Sequence, residues 1–228
     1  GDFPTELHGQ TYADEIARLK MFFPTAAARI ACSFFDVTQR KDGEEVQMLP
    51  PIIKDSILSI NNTPSVPVSI LVYFSAQKEL PQSLEELVRV FSLKSEVQFN
   101  IFVPSVPEKL TSGNVTFYKH GHEKFEEILR NCSGIISTAG HTLLSEAMHL
   151  GIPVYAIPLA VYEQQMNAEV IDKNGFGIKS ETVNENTLNG FIVNLSQFRN
   201  AIKKDKNILL RGNGAEKIIK FIQSNYLS

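Results

Sequence analysis

From residue 68 onward, short apolar runs alternate with amphipathic ones. VSILVYF (68–74), VQFNIFV (97–103), NVTFYKH (114–120), GIIST (134–138) and PVYAIPL (153–159) have the β-branched and aromatic density of strands. Between and after them, SLEELVRVFSL (83–93), EKFEEILRNC (123–132), TLLSEAMHL (142–150), NAEVIDKNG (167–175) and GAEKIIKFIQSNY (214–226) place apolar residues at helical spacing. Strands alternating with helices predict an α/β fold, a Rossmann-like parallel sheet with helices on both faces. The first 60 residues are less regular. TYADEIARLKM (11–21) sets Ile16, Leu19 and Lys20 at helical spacing, FFPTAAARIACSFFDV reads as a turn feeding a short strand, and EEVQMLPPII as a strand stopped by Pro50 and Pro51. KDSILSINNTPSVP (54–67) reads as a polar connector. The expected division is therefore 1–60, the end of an amino-terminal domain plus linker, and 61–228, a second domain closed by its last helix.

Composition narrows the function classes. With 228 residues and 43% hydrophobic content the chain can bury a sizeable core. A formal charge of −3 without a basic stripe argues against nucleic acid as a partner. Cys32 and Cys132 lie far apart, without metal spacing, and read as buried free thiols in a reduced compartment. No apolar run reaches the roughly 18 residues of a membrane span. The chain opens GDFPTEL without an initiator methionine, which reads as a processed product or an excised fragment.

In doubly wound sheets ligands sit at the carboxyl ends of the strands. ISTAGHTLLSEAMHL (136–150) is such a strand-to-helix corner. Gly140 permits a tight turn, and the free N–H groups from Gly140 to Leu143 favour an anion such as a phosphate. His141 and Thr142 add an imidazole and a hydroxyl. Glu146 stands one turn further on, about 6 Å along a helix rising 1.5 Å per residue, and suits a sugar diol, because a carboxylate accepts two hydrogen bonds. The same residues also read as plain helix capping, with Glu146 complementing the helix dipole and Gly151-Ile152-Pro153 stopping the helix. A polar cluster, Glu163, Gln164, Gln165 and Asn167, follows the strand that ends at Pro158, in what reads as a loop able to meet sugar hydroxyls.

Together the two elements, STAGHTLLSEAMHLGIPVYAIPLAVYEQQMNA, resemble the donor-binding signature of GT-B glycosyltransferases. Nearest in pattern are the bacterial lipid-linked peptidoglycan N-acetylglucosaminyltransferase family and its uncharacterised relatives, with the UDP-glucuronosyltransferase group further off. The shared features are a small-Gly turn, Glu six residues after that Gly, a Gly-x-Pro stop, a strand ending in Pro, and Gln-x-x-Asn-Ala from Gln164 to Ala168. The resemblance spans roughly 66–225 and includes the RGNGAEKIIKFI ending.

By that resemblance, Gly140, His141 and Thr142 hold a diphosphate, Glu146 takes the ribose hydroxyls, and Glu163, Gln164 and Gln165 face the transferred sugar. Asn167 braces the loop or starts the next helix. Tyr118 and His120, in the Phe117–Phe125 segment, flank the nucleobase. Where relatives carry a glycine-rich phosphate loop this chain has YFSAQKE (73–79), leaving Ser75 and Gln77 as donors. The resemblance implies a nucleotide-sugar substrate, most simply a UDP-sugar, with no cofactor and no metal. His120-Gly121-His122 lacks a third ligand at metal spacing. The general base is expected in a missing amino-terminal acceptor domain or partner subunit, so this chain alone should bind donor without turnover. His141, beside the phosphates, is better placed to stabilise the leaving group than to act as that base.

The acceptor is unknown; a lipid-linked one would bring a cytoplasmic enzyme to the membrane periphery. Lys203, Lys204, Lys206 and Arg211 read first as an ordinary solvated helix face and loop, with an anionic membrane surface as the alternative. Two other classes stay open: a GT-B epimerase acting on UDP-N-acetylglucosamine, which needs no acceptor, and a non-catalytic nucleotide-binding module.

Overall fold

The computed structural model describes residues 6–7, 10–22, 29–36, 46–108 and 112–227. Two compact units divide the chain: Gly1–Lys54 with Lys206–Ser228, and Asp55–Asp205. Along the first unit run strands β1 (Glu6–Leu7) and β2 (Gln10–Thr11), helix α1 (Ala13–Phe22), and strands β3 (Arg29–Cys32) and β4 (Val46–Leu49). The pair β1–β2 is antiparallel, whereas β3 and β4 run parallel with Cys32 opposite Leu49. Ile16 is half-buried; the side chains of Leu19 and Lys20 lie outside the described residues.

The second unit begins with α2 (Asp55–Leu58), one helical turn inside the segment read as a polar connector. Its buried Ile57 explains the difference, because an apolar anchor holds the turn that the flanking polar residues conceal. Then follow β5 (Ser69–Tyr73), a 3-10 turn at Gln77–Glu79, α3 (Leu84–Ser92), β6 (Gln98–Val103), β7 (Val115–Lys119), α4 (Phe125–Asn131), β8 (Gly134–Ser137), α5 (His141–Leu150), β9 (Val154–Ala156), α6 (Tyr162–Lys173), β10 (Gly177–Lys179), α7 (Glu185–Val193) and α8 (Leu195–Lys204). The last helix, α9 (Gly214–Tyr226), belongs to the first unit, where Gly214 donates its N–H to the Pro51 carbonyl at 3.2 Å.

Six strands form one parallel sheet in the order β10-β9-β8-β5-β6-β7. The core lies on it, with Ile70, Val72, Phe99, Ile101, Ile136 and Tyr155 sealed beneath Phe91 of α3 and Phe191 of α7. Helix α3 shows why the local sequence folds as it does. Ser83 and Glu86 close a reciprocal capping box, and Leu84, Leu87, Val88 and Phe91 repeat on one buried face. Helix α5 ends where Gly151 takes φ 71°, a left-handed conformation that suits glycine. At the β9–β10 contact a Cβ on Gly177 would lie 1.8 Å from the Val154 carbonyl oxygen, so only glycine permits that approach.

This strand order has a functional consequence. The chain leaves β5 towards β6 and β7, then crosses back to lay β8 and β9 on the other side of β5. The carboxyl ends of β5 and β8 therefore bound the crevice where the winding reverses.

Candidate functional site

Tyr73 and Ser137 are register partners at the last residues of β5 and β8. Their following loops diverge from there, and the hydroxyls of Ser75 and Thr138 meet across the crevice at 3.3 Å. The donor expected in YFSAQKE, Ser75, is thus adjacent to the first residue after β8. The side chain of Gln77 lies outside those described.

The strand-to-helix corner differs from the expected one in which residue makes the turn and in the His141 N–H, which is not free. Gly140 is an ordinary extended N-cap (φ −64°, ψ 138°), and the left-handed residue is Ala139, at φ 60°. An alanine in that region stores strain and persists only where its surroundings fix it. The Ser137 hydroxyl accepts the Ala139 N–H at 3.2 Å, and the buried Asn167 amide donates to the Ala139 carbonyl at 2.9 Å. A Cβ at Gly140 would meet nothing within 4 Å, so the space beside it is open.

Helix α5 starts at His141 with no cap from Gly140. Its first amide is met from another helix: the Glu163 carboxylate accepts the His141 N–H at 3.0 Å. Thr142 is exposed at the tip, whereas Glu146, one turn on, is buried at 6% exposure. Its charge raises the Tyr73 phenol, which burial pushes in the same direction more strongly. Burial also holds the His141 imidazole below its usual range, partly offset by Glu163. At this tip the donor that His141 presents to Glu163 is its backbone N–H.

Residues 163–165 do not form a loop. They occupy the first turn of α6, which begins at Tyr162, five residues before the predicted start. The Gln164 side chain accepts the Leu159 N–H at 2.9 Å, and Gln165 donates to the Leu159 carbonyl at 3.0 Å. These bonds tie the segment after β9 to the helix that follows, and such closure lets the helix start early. The Gln165 side-chain oxygen is buried without a hydrogen-bond partner.

On the other side of the crevice, register sets Tyr73, Phe102 and Tyr118 level across β5, β6 and β7. His120 stacks on Tyr73, with ring centroids at 4.6 Å and planes 7° apart, and Tyr118 stacks on Phe102 at 4.9 Å. Phe125 meets both Tyr73 and Phe102 edge-on. His120 Nε2 is enclosed without a hydrogen-bond partner. Among the described residues no group of three or more His, Cys, Asp or Glu is placed to hold a metal ion.

The structure therefore gathers Ser75, Gly140, His141, Glu146, Glu163 and His120 around the carboxyl ends of β5 and β8, with Tyr118 further out on β7, stacked on Phe102. Sequence reasoning missed Tyr73 and the Ala139–Asn167 bond. Tyr73 had a signal: a tyrosine closing an otherwise apolar strand brings a polar tip to the carboxyl edge. Cys132 is fully buried and its thiol is pushed up to about 12 by burial, while Cys32 is only half-buried, against the expectation of two buried thiols.

Comparison with solved structures places this fold. Phytolacca americana UGT2 complexed with UDP-2fluoro-glucose and pterostilbene superposes with a TM-score of 0.61 at 14% identity, covering 83% of this chain and 48% of that one. The spinosyn rhamnosyltransferase SpnG gives 0.58 at 17%, covering 84% and 55%. The Streptomyces sp. SF2575 glycosyltransferase SsfS6, complexed with thymidine diphosphate, gives 0.56 at 16%, covering 93% and 57%. The chain spans about half the length of these structures, and its parallel sheet matches the carboxyl-terminal, Rossmann-like half of a GT-B glycosyltransferase. No curated protein matches it in sequence. The family model described as Glycosyl transferase family 1 matches residues 3–196, and the chain belongs to that family.

Proposed function

We propose that this chain is the donor-binding part of a nucleotide-sugar-dependent glycosyltransferase that moves a hexosyl or N-acetylhexosaminyl group. The observation that carries the reading is Glu146, a carboxylate buried at the crevice one turn below the amino end of α5. A carboxylate accepts two hydrogen bonds at once, which suits the vicinal hydroxyls of a ribose brought to it by a bound nucleotide. The spacing suits a nucleoside diphosphate: phosphates at the N–H groups of α5, ribose on Glu146, and the base towards the aromatic row of Tyr73, His120 and Tyr118.

Chemically, glycosyl transfer needs the leaving diphosphate stabilised as its charge develops. The amino end of α5 supplies preorganised donors for this, with Thr142 and Ser75 as hydroxyl donors beside them. Glu163 and Gln164, at the start of α6, are assigned to the sugar. The base that deprotonates the acceptor is assigned to an acceptor domain or partner subunit, so this chain alone binds donor without turnover. A UDP-sugar and a lipid-linked acceptor, as in the peptidoglycan N-acetylglucosaminyltransferase family, are the specific assignments. They imply a cytoplasmic enzyme working at the membrane periphery. Among the described residues no helix is long and apolar enough to cross a membrane.

Calorimetric titration with UDP, TDP, GDP and ADP tests the reading. One nucleotide should bind well ahead of the others; equal weak binding of all four, or none, contradicts it.

A further inference from the structure

We infer that Glu163 makes the site discriminate between an intact sugar donor and the bare nucleoside diphosphate left after transfer. The inference rests on the donor-site reading above and assigns to Glu163 a role beyond touching the sugar.

Two bonds join α6 to the corner before α5, and they differ in kind. The Asn167 amide to the Ala139 carbonyl, 2.9 Å, is buried and holds the helix in place. One turn earlier, the exposed Glu163 carboxylate accepts the His141 N–H at 3.0 Å, and solvent reaches it freely. Asn167 keeps α6 anchored whether or not Glu163 stays, so Glu163 is the exchangeable member of the pair.

The place Glu163 fills is the one an anionic ligand needs. Gly140 offers no side-chain cap, so the first amide of α5 has recruited a carboxylate from a neighbouring helix, and that oxygen lies where a phosphate oxygen would bond. A diphosphate can take the His141 N–H only by displacing Glu163. The displaced carboxylate then loses a charge-assisted bond and stands beside new negative charge. A donor carries sugar hydroxyls next to its phosphates, and a carboxylate, which only accepts, finds new donors there. A free nucleoside diphosphate offers no such hydroxyls and adds further charge at its terminal phosphate. Glu163 therefore penalises the product more than the donor, and the returning carboxylate helps to expel the product.

The test is calorimetric titration of the full chain, as wild type, Glu163→Ala and Glu163→Gln, with UDP against UDP-glucose and UDP-N-acetylglucosamine, and with TDP against TDP-glucose. Glu163→Ala should tighten the bare diphosphate by about tenfold, or 1.4 kcal/mol, and weaken the sugar-bearing ligand, collapsing the ratio of the two. Glu163→Gln should fall between, because its amide oxygen still accepts from His141 without the charge. A ratio that stays constant, or a diphosphate that binds more weakly to Glu163→Ala, overturns the inference while leaving the donor site intact. Failure of the wild type to bind any of these ligands overturns the donor-site reading and this inference with it. Circular dichroism of each variant confirms folding, which the exposure of Glu163 favours.

Discussion

The amide of Asn167 donates to the carbonyl of Ala139 at 2.9 Å, and this one buried bond keys the helix after β9 to the corner after β8. It fixes a residue held at φ 60° without being glycine. Replacing Asn167 by alanine leaves a buried carbonyl without its donor, a cost of about 1–3 kcal/mol. A urea unfolding curve should show its midpoint falling with an unchanged slope, and nucleotide affinity should fall as the corner relaxes.

Ala139 itself gives a sharper backbone test. Valine is β-branched and is disfavoured at positive φ far more than alanine, so Ala139→Val should destabilise by about 1–3 kcal/mol through strain at this residue. Gly140→Ala, one residue later, should leave the unfolding midpoint nearly unchanged, because the conformation there is ordinary and the space open. Any effect should appear in ligand affinity, since the new methyl stands at the residue that precedes the first turn of α5. Equal losses of stability at the two positions would contradict this assignment of strain.

The pH dependence of stability should carry a signature of His141. Burial depresses its folded pKa, so the unfolded chain takes up the proton first as pH falls through about 6.5. Stability should therefore be greatest above that value and decline as pH drops below it. Glu169 is held down to about 2, chiefly by its bond to Lys179, so its contribution is fully present above about pH 4.5 and is lost only in stronger acid. Melting temperatures at pH 7.5 and 5.5 should differ less in His141→Gln than in the wild type.

Cys132 should resist thiol reagents. It is fully buried with its thiol pushed up to about 12, and thiolate is the reactive form. In the native protein a chromogenic disulfide should label the half-buried Cys32 first, and Cys132 only at the rate of unfolding.

The sheet was largely legible because its strands are apolar runs bounded by turn residues, and the helix after GIIST because its stop, Gly151-Ile152-Pro153, is explicit. Beyond α2 and the short pair β1–β2, three elements were not. β10 is only Gly177-Ile178-Lys179, too short to show alternation, and its glycine is there to approach Val154. Helix α7 (ENTLNGFIV) contains a glycine and two asparagines, poor helix formers, and is secured by the Asn184–Thr187 capping box and by burial of Leu188 and Phe191. α8 follows it after a single residue, so the two blur into one irregular stretch. At the site, the residue types and their order were readable, whereas partners were not. That Glu163 would reach His141, or that Ala139 rather than Gly140 would take the left-handed turn, depends on the contact between α6 and the β8–α5 corner, which local pattern does not contain.

The central claim is that Glu146 receives the ribose of a nucleotide whose phosphates lie at the tip of α5. It is tested most directly by a cycle of two ligands and two proteins: UDP and 2′-deoxy-UDP, each titrated into the wild type and Glu146→Ala. A hydrogen bond to a carboxylate is worth about 1.5–3 kcal/mol, so the wild type should lose roughly tenfold or more in affinity when the 2′-hydroxyl is removed. Glu146→Ala should bind both ligands weakly and nearly alike, leaving a clear interaction energy in the cycle. If the wild type and the variant instead lose the same factor on removal of that hydroxyl, Glu146 does not meet the ribose, and the account of the site is wrong.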